Sequence, residues 1–220
     1  MERNKAMRGM FDNEGRPTKS LIPPAKPRQE WERRLERMPV NKAAIDLIKE
    51  FEKFSPLAYW DKLGGVWTIG WGTTARAGVG ITPVEGMRIS REDADMYLQR
   101  TVEKVADQIR SKIKAPINEN QFGAFVVFTY NIGIGQGKKG EAKPEYVSGF
   151  SNSTVLREFN KGNTTSASKN MRSWHLVGDK HVPGLVRRRE AERVLFGTPV
   201  ERKESRADNL FKSTKYRTFT

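Results

Sequence analysis

The chain has 220 residues, enough for one domain with extensions and a sizeable core. It has no cysteine and only two histidines, which excludes a disulfide scaffold, thiolate metal sites and a cysteine nucleophile, and argues against a multi-histidine metal centre. Forty Lys and Arg against 26 Asp and Glu give a net charge of +14. Such a field attracts polyanions, nucleic acid or an anionic bacterial envelope among them, or simply keeps the surface solvated.

No apolar run approaches the ~18 residues of a membrane span. The N-terminus is charged and lacks the apolar stretch of a secretory signal, so synthesis in the cytoplasm is expected. Residues 1–40 read as a basic extension broken by Pro17, Pro23, Pro24 and Pro27. Within it, Arg28 to Met38 predicts a short helix, with Trp31 and Leu35 on one face and Pro39 ending it. It either anchors a partner or folds back on the body, and the second is the simpler reading.

The body covers 41–197. Asn41 is a fitting N-cap for a helix carrying Ala44, Ile45, Ile48 and Phe51 at helical spacing. Trp67, Ile69 and Trp71 then alternate with Thr68 and Gly70, predicting a hairpin turned at Gly64-Gly65 in a small lobe over about 55–82. That alternation puts Trp67 and Trp71 on one side, packed under the hairpin. A helical lobe follows over about 83–197. A long helix starts at Ser90, carries the stripe Leu98, Val102, Val105, Ile109 and Ile113, and closes at Pro116. Asn118–Asn131 is apolar nearly all round and should be the buried central helix. A Gly- and Lys-rich loop over 133–150, short helices over Ser153–Asn160 and Ser166–Trp174, and a last helix over Gly184–Phe196 complete the body. Residues 198–220 read as a basic tail. The fold class is α+β.

Two carboxylates flank the hairpin. Glycoside hydrolysis commonly needs one protonated carboxyl group for the leaving oxygen and one ionised group to activate water or stabilise charge. Glu52, between Phe51 and Phe54, suits the acid, because an apolar setting favours the protonated form. Asp61, beside a turn, suits the ionised role. Thr68 can hold a water. By spacing alone, a Glu and an Asp nine apart are more often two surface carboxylates.

The wider pattern resembles the phage lysozymes of glycoside hydrolase family 24, the endolysin muramidases. It is carried by Phe51-Glu52-Lys53-Phe54, Ala58-Tyr59-Trp60-Asp61 and Gly65 to Gly72. Asn120-Gln121-Phe122, Tyr130 to Gly133, Ser153 to Leu156, Trp174, Gly178, Gly184 to Arg189 and Glu192 continue it. The resemblance covers about 41–197 and implies a lysozyme-like fold. It further implies hydrolysis of the β-1,4 bond between N-acetylmuramic acid and N-acetylglucosamine in peptidoglycan, for host lysis. Glu52 matches the general acid, Asp61 the second carboxylate and Thr68 the water-placing threonine. One of Arg187, Arg188 and Arg189 is expected to face Glu52. Gln121 and Asn131 match polar positions near the cleft, with sugar-binding or structural roles. Trp174 is expected in the core. His175 and His181 receive no role.

No metal or cofactor is implied. A monomer is expected, acting on peptidoglycan after release through a membrane lesion, with the envelope as a further partner of its charge and no nucleic acid. A lytic transglycosylase, or a catalytically decayed wall-binding or virion protein, remains open. Four positions depart from the pattern. Lys53 stands where Gly usually follows the acid. The stretch from Asp61 to Thr68 is one residue longer than usual, which Gly64-Gly65 can absorb. Thr73 replaces a common His. The segment 134–149 is long, and its Lys138, Lys139 and Lys143 form either an extra basic lobe or a loop without a role.

Overall fold

The computed structural model describes residues 27–62, 64–135 and 148–200. Two helices lead the chain, α1 over Glu30–Arg37 and α2 over Lys42–Glu52. Three strands follow: β1 Ser55–Asp61, β2 Val66–Gly70 and β3 Thr73–Thr74. The rest is mainly helical: α3 Arg91–Arg110, α4 Glu119–Ile132, α5 Thr154–Asn160, α6 Thr164–Met171 and α7 Pro183–Gly197, with strands β4 Leu176–Val177 and β5 Lys180–His181 before α7. This is the expected α+β arrangement of a small sheet on a helical body.

Four helices begin where side-chain chemistry supplies an acceptor for an unpaired backbone N–H. Asn41 Oδ1 accepts from Ala44 N at 3.0 Å, Ser90 Oγ from Asp93 N at 3.0 Å, Asn118 Oδ1 from Gln121 N at 2.8 Å, and Ser153 Oγ from Leu156 N at 3.1 Å. The centre of the body is α4, in which Phe122 to Thr129 are all buried. Phe125 gathers Phe150, Phe159 and Phe196 around it at ring separations of 5.0–5.3 Å. Helices α2, α3 and α7 all pack on α4.

Several boundaries differ from expectation. Helix α3 stops at Arg110, short of Pro116, yet Ile113, Ala115 and Ile117 stay buried in an irregular segment. Apolar spacing thus continues where helical geometry does not. Helix α6 runs over Thr164–Met171, earlier than expected, and the β4–β5 hairpin follows it. Trp67 and Trp71 do not pack together under the hairpin. Strand β2 ends at Gly70, whose φ of +63° turns the chain, and Trp71 enters the main core while Trp67 stays against Trp60, edge to face at 5.7 Å.

Residue 41 does not divide two bodies. Leu35 and Met38 are buried in the same core as α4, and Arg110 donates to the carbonyls of Leu35 at 3.2 Å and Met38 at 2.8 Å. The expected fold-back of this segment is therefore an integral layer. At the other end, Asn120 Nδ2 donates to the carbonyls of Thr198 and Pro199 at 2.9 and 3.3 Å. The readings of Lys138, Lys139 and Lys143, of residues 1–26 and of residues 201–220 lie outside the described residues.

The three-stranded sheet is antiparallel in the order β1-β2-β3. Tyr59 pairs with Thr68, Trp60 with Trp67, Asp61 with Val66, and Thr68 in turn with Thr74. Because strand side chains alternate between faces, Tyr59, Asp61, Thr68 and Thr74 share one face, and Trp60 and Trp67 the other. Beyond the Asp61–Val66 pair, Gly65 N donates to the Asp61 carbonyl at 2.8 Å.

Candidate active site

Glu52 is the last residue of α2, where the chain leaves the helix for the sheet. Lys53 makes that exit with φ +54° and ψ 146°, the one non-glycine residue with positive φ among the described residues. This backbone region favours glycine, and a side chain there is strained. The position where the family pattern usually has Gly is thus one where the backbone itself asks for it.

The Glu52 carboxylate is fixed on two sides. Arg188 Nη1 donates to Glu52 Oε1 at 2.6 Å, and only 6% of the arginine side chain is exposed against 21% of the glutamate's. The other oxygen, Oε2, rests against Gly72: a Cβ at that position would sit 2.9 Å from it. Gly72 has φ +86°, so both backbone and space call for glycine there. Tyr130 on α4 donates from Oη to the Trp71 carbonyl at 2.8 Å and so holds the peptide leading into Gly72. Burial, then Glu52, push the Tyr130 phenol above its ordinary value.

Of the three arginines, Arg188 faces Glu52. One helix position is worth about 100° of rotation, so its neighbours point elsewhere. Arg187 is exposed and lines a cavity beside Lys53. Arg189 is buried; its Nη2 donates to Asn131 Oδ1 and to Glu192 Oε1, both at 2.8 Å. Asn131 is thereby placed one arginine away from the Glu52 clamp. Glu192, wholly buried, also accepts from Arg188 Nε at 3.4 Å. Burial disfavours charge on both partners, pushing Glu192 up and Arg189 down, while their mutual attraction opposes it. Glu52, Arg188, Glu192, Arg189 and Asn131 form one continuous polar chain between α2, α4 and α7.

Asp61 and Thr68 lie on the same sheet face, with Tyr59 between them in the register. Thr68 is buried, and its hydroxyl donates to the Val66 carbonyl at a long 3.4 Å. Tyr59 is half-exposed. Burial raises its phenol first, then the charges of Glu52 and Asp61, so one side chain senses both carboxylates. Thr73, at the family's common His position, is buried, and its hydroxyl has no hydrogen-bond partner among the described residues.

Gln121 is not brought to this site. Its side chain completes a capping box at the start of α4, accepting from Asn118 N at 3.1 Å. Ten residues separate it from Asn131, roughly 15 Å along the helix. Trp174 packs edge to face on Phe128 at 5.7 Å, in keeping with the core role expected. His175 and His181 meet each other across the β4–β5 hairpin, Nε2 to Nδ1, at 2.7 Å.

Tyr59, Gly72, Tyr130 and Glu192 were all visible in the sequence pattern but carried no assigned role. Tyr59 had a usable signal, since a residue two before Asp61 on a strand shares its face. Glu192, at i+3 and i+4 from two arginines, had another.

A small antiparallel sheet on a helical body, with a glutamate and an aspartate at the ends of adjoining elements, is the lysozyme-like class of fold. The family model for phage lysozyme matches residues 49–192. The chain belongs to the phage lysozyme family. It is 33% identical over 182 residues to the endolysin of Bacillus phage B103, covering 82% of this chain and 62% of that protein. Among solved structures, an endolysin from Escherichia coli O157:H7 phage FAHEc1 is 34% identical with a TM-score of 0.59, covering 76% of this chain and 98% of that one. The muramidase domain of SpmX from Asticaccaulis excentricus is 32% identical with a TM-score of 0.61, covering 74% of this chain and all of that domain. The chain spans less than two thirds of the B103 protein's length but nearly the whole of both solved domains. Among the described residues, no helix is long and apolar enough to cross a membrane.

Proposed function

We propose that this protein is a muramidase that cleaves the β-1,4 bond between N-acetylmuramic acid and N-acetylglucosamine and serves host cell lysis. The observation that carries the reading is the Glu52 carboxylate, held at 2.6 Å by a buried arginine at the junction of sheet and helices. In this reading Glu52 is the general acid. Arg188 occupies Oε1, so the transferable proton sits on Oε2, beside Gly72, and passes to the leaving glycosidic oxygen. Positive charge develops on the sugar ring as the bond breaks. Asp61 stabilises that charge or activates the attacking water, and Thr68 positions the water from the same sheet face. Arg188 keeps Glu52 from swinging away between turnovers, which preserves the alignment on which general acid catalysis depends.

The protein acts as a monomer on the wall after release from the cell in which it is made. Its +14 charge draws it to anionic wall and envelope polymers. The deciding experiment is mass spectrometry of fragments from purified peptidoglycan, with wild type and Glu52→Gln side by side. Reducing muramic acid ends from the wild type alone support the proposal. Anhydro ends would make the protein a transglycosylase, and intact peptidoglycan would leave a binding or structural role.

A further inference from the structure

The chain's two histidines meet at the β4–β5 hairpin. The hairpin pairs Leu176 with His181 and Val177 with Lys180, and it turns through Gly178, whose φ is +58°, and Asp179. Val182 N donates to the His175 carbonyl at 3.0 Å and closes the open end. His175 Nε2 and His181 Nδ1 face each other there at 2.7 Å, with the rings stacked 4.7 Å apart. On its other side, His175 Nδ1 meets the Arg172 carbonyl. A carbonyl can only accept, so Nδ1 carries the hydrogen and Nε2 presents a lone pair. Metal-bound histidines are held in the same way, one ring nitrogen tied to a backbone carbonyl and the other left to ligate. With the hydrogen of His181 on Nε2, both facing nitrogens present lone pairs.

We propose that His175 Nε2 and His181 Nδ1 form a site for a late first-row divalent cation, zinc being the representative, with water in the remaining coordination positions. Imidazole nitrogen suits zinc, copper and nickel. A tetrahedral zinc ion with bonds of about 2.0–2.1 Å spaces two nitrogens about 3.3 Å apart, so the rings need to part by only about 0.6 Å. His181 is exposed and His175 half-buried, so side-chain rotation supplies that opening. Among the described residues no third His, Asp or Glu joins the pair, so the protein gives two ligands and the ion exchanges with solvent. Of the nearby cations, Arg172 is paired with Glu190 at 3.0 Å, and Lys180, next to His181 on β5, points to the other face of its strand. The ion would link the two ends of the hairpin that joins α6 to α7. Pro183 opens α7 two residues after His181, and Trp174, next to His175, packs on Phe128. The site thus staples the entry of α7 to the helical body. It rests on the hairpin alone and is independent of the muramidase reading.

The test titrates the untagged full chain with zinc chloride by calorimetry at about pH 7.5, where histidine is mostly neutral. It uses wild type, His175→Gln, His181→Gln and the double variant. One equivalent should bind wild type, each single variant should bind at least about tenfold more weakly, and the double variant should lose the transition. In nitrogen-resolved spectra of the imidazoles, zinc should move the signals of His175 Nε2 and His181 Nδ1 and leave the hydrogen on His175 Nδ1. Zinc should also slow hydrogen exchange at the Val182 amide, which closes the hairpin, by at least about tenfold in wild type and not in the double variant. Equal binding by wild type and the double variant would overturn the site. So would the absence of binding to wild type up to about 1 mM zinc, a free energy no stronger than about −4 kcal/mol.

Discussion

Arg188 and Glu52 are joined by a 2.6 Å charged hydrogen bond although 136 residues separate them in the chain. The arginine is nearly inaccessible and the glutamate is 21% exposed, so the bond is shielded from water on one side and open on the other. Arg188→Lys keeps the charge but loses the planar fork that serves Glu52 and Glu192 together. The expected result is a native-like circular dichroism spectrum with kcat on peptidoglycan reduced at least about tenfold, a loss of about 1.4 kcal/mol in transition-state stabilisation.

Gly72 meets Glu52 Oε2 so closely that any side chain must displace the carboxylate or the backbone. Gly72→Ala combines that clash with a φ that alanine tolerates poorly, at about 1–3 kcal/mol. With Glu52 as the proposed general acid, wall hydrolysis should fall by about two orders of magnitude, while sedimentation with insoluble walls persists. Retention of full activity would show that Glu52 does not need the pose described.

Lys53 offers the opposite case. Lys53→Gly removes the strain of φ +54° at a position where the backbone is already set for glycine. Urea denaturation should show a gain of about 1 kcal/mol, the strain relieved less the entropy glycine adds to the unfolded chain.

The polar chain behind Glu52 should be expensive to break. Glu192→Gln leaves Arg189 with a charge buried to 1% exposure and only neutral partners. A cost of about 3–5 kcal/mol is expected, read from the denaturant midpoint at constant m-value. Replacing Arg189 and Glu192 together by Met and Leu should cost less than the sum of the single changes.

Asp95 supplies a pH dependence. Burial pushes its carboxyl up, but hydrogen bonds from Lys49 at 2.7 Å and Trp71 at 2.6 Å outweigh it and hold the group below its ordinary value. A lowered folded-state value means that its stabilisation is complete above about pH 4 and is lost as pH falls through the folded value. Wild type should therefore exceed Asp95→Asn in urea midpoint near pH 6, and the gap should close toward pH 2.

Much of this organisation was readable in the sequence because it rests on local chemistry. The caps at Asn41, Ser90 and Ser153 and the unbroken apolar run of α4 each announce themselves within a few residues. The strand pairing of Tyr59 and Thr68 follows from alternation plus a glycine turn. Alternation failed at Gly70, where a positive φ turned Trp71 out of the strand and into the core. Gln121 matches a cleft position by resemblance, yet the pair Asn118 and Gln121 spells a capping box, and the structure uses it as one. The choice among three adjacent arginines was beyond local pattern, because it depends on the rotational phase of α7 against α2. The His175–His181 contact depends likewise on a two-residue hairpin too short to leave a periodic trace.

The run Arg187-Arg188-Arg189 makes α7 unequal in its tolerance of length changes. The C-terminal half of the helix is held in the core by Glu192, Leu195 and Phe196. Loss of Glu190 would slide each upstream residue one place along this fixed register, seating Arg187 opposite Glu52 and Arg188 opposite Asn131. Both buried cation positions would still be filled. Gain of a residue at the same point would seat Arg189 opposite Glu52 and bring the inserted side chain to Asn131. Deletion at this point keeps both buried arginine positions filled, whereas insertion keeps the Glu52 clamp but leaves Asn131 without its arginine unless the inserted residue is one.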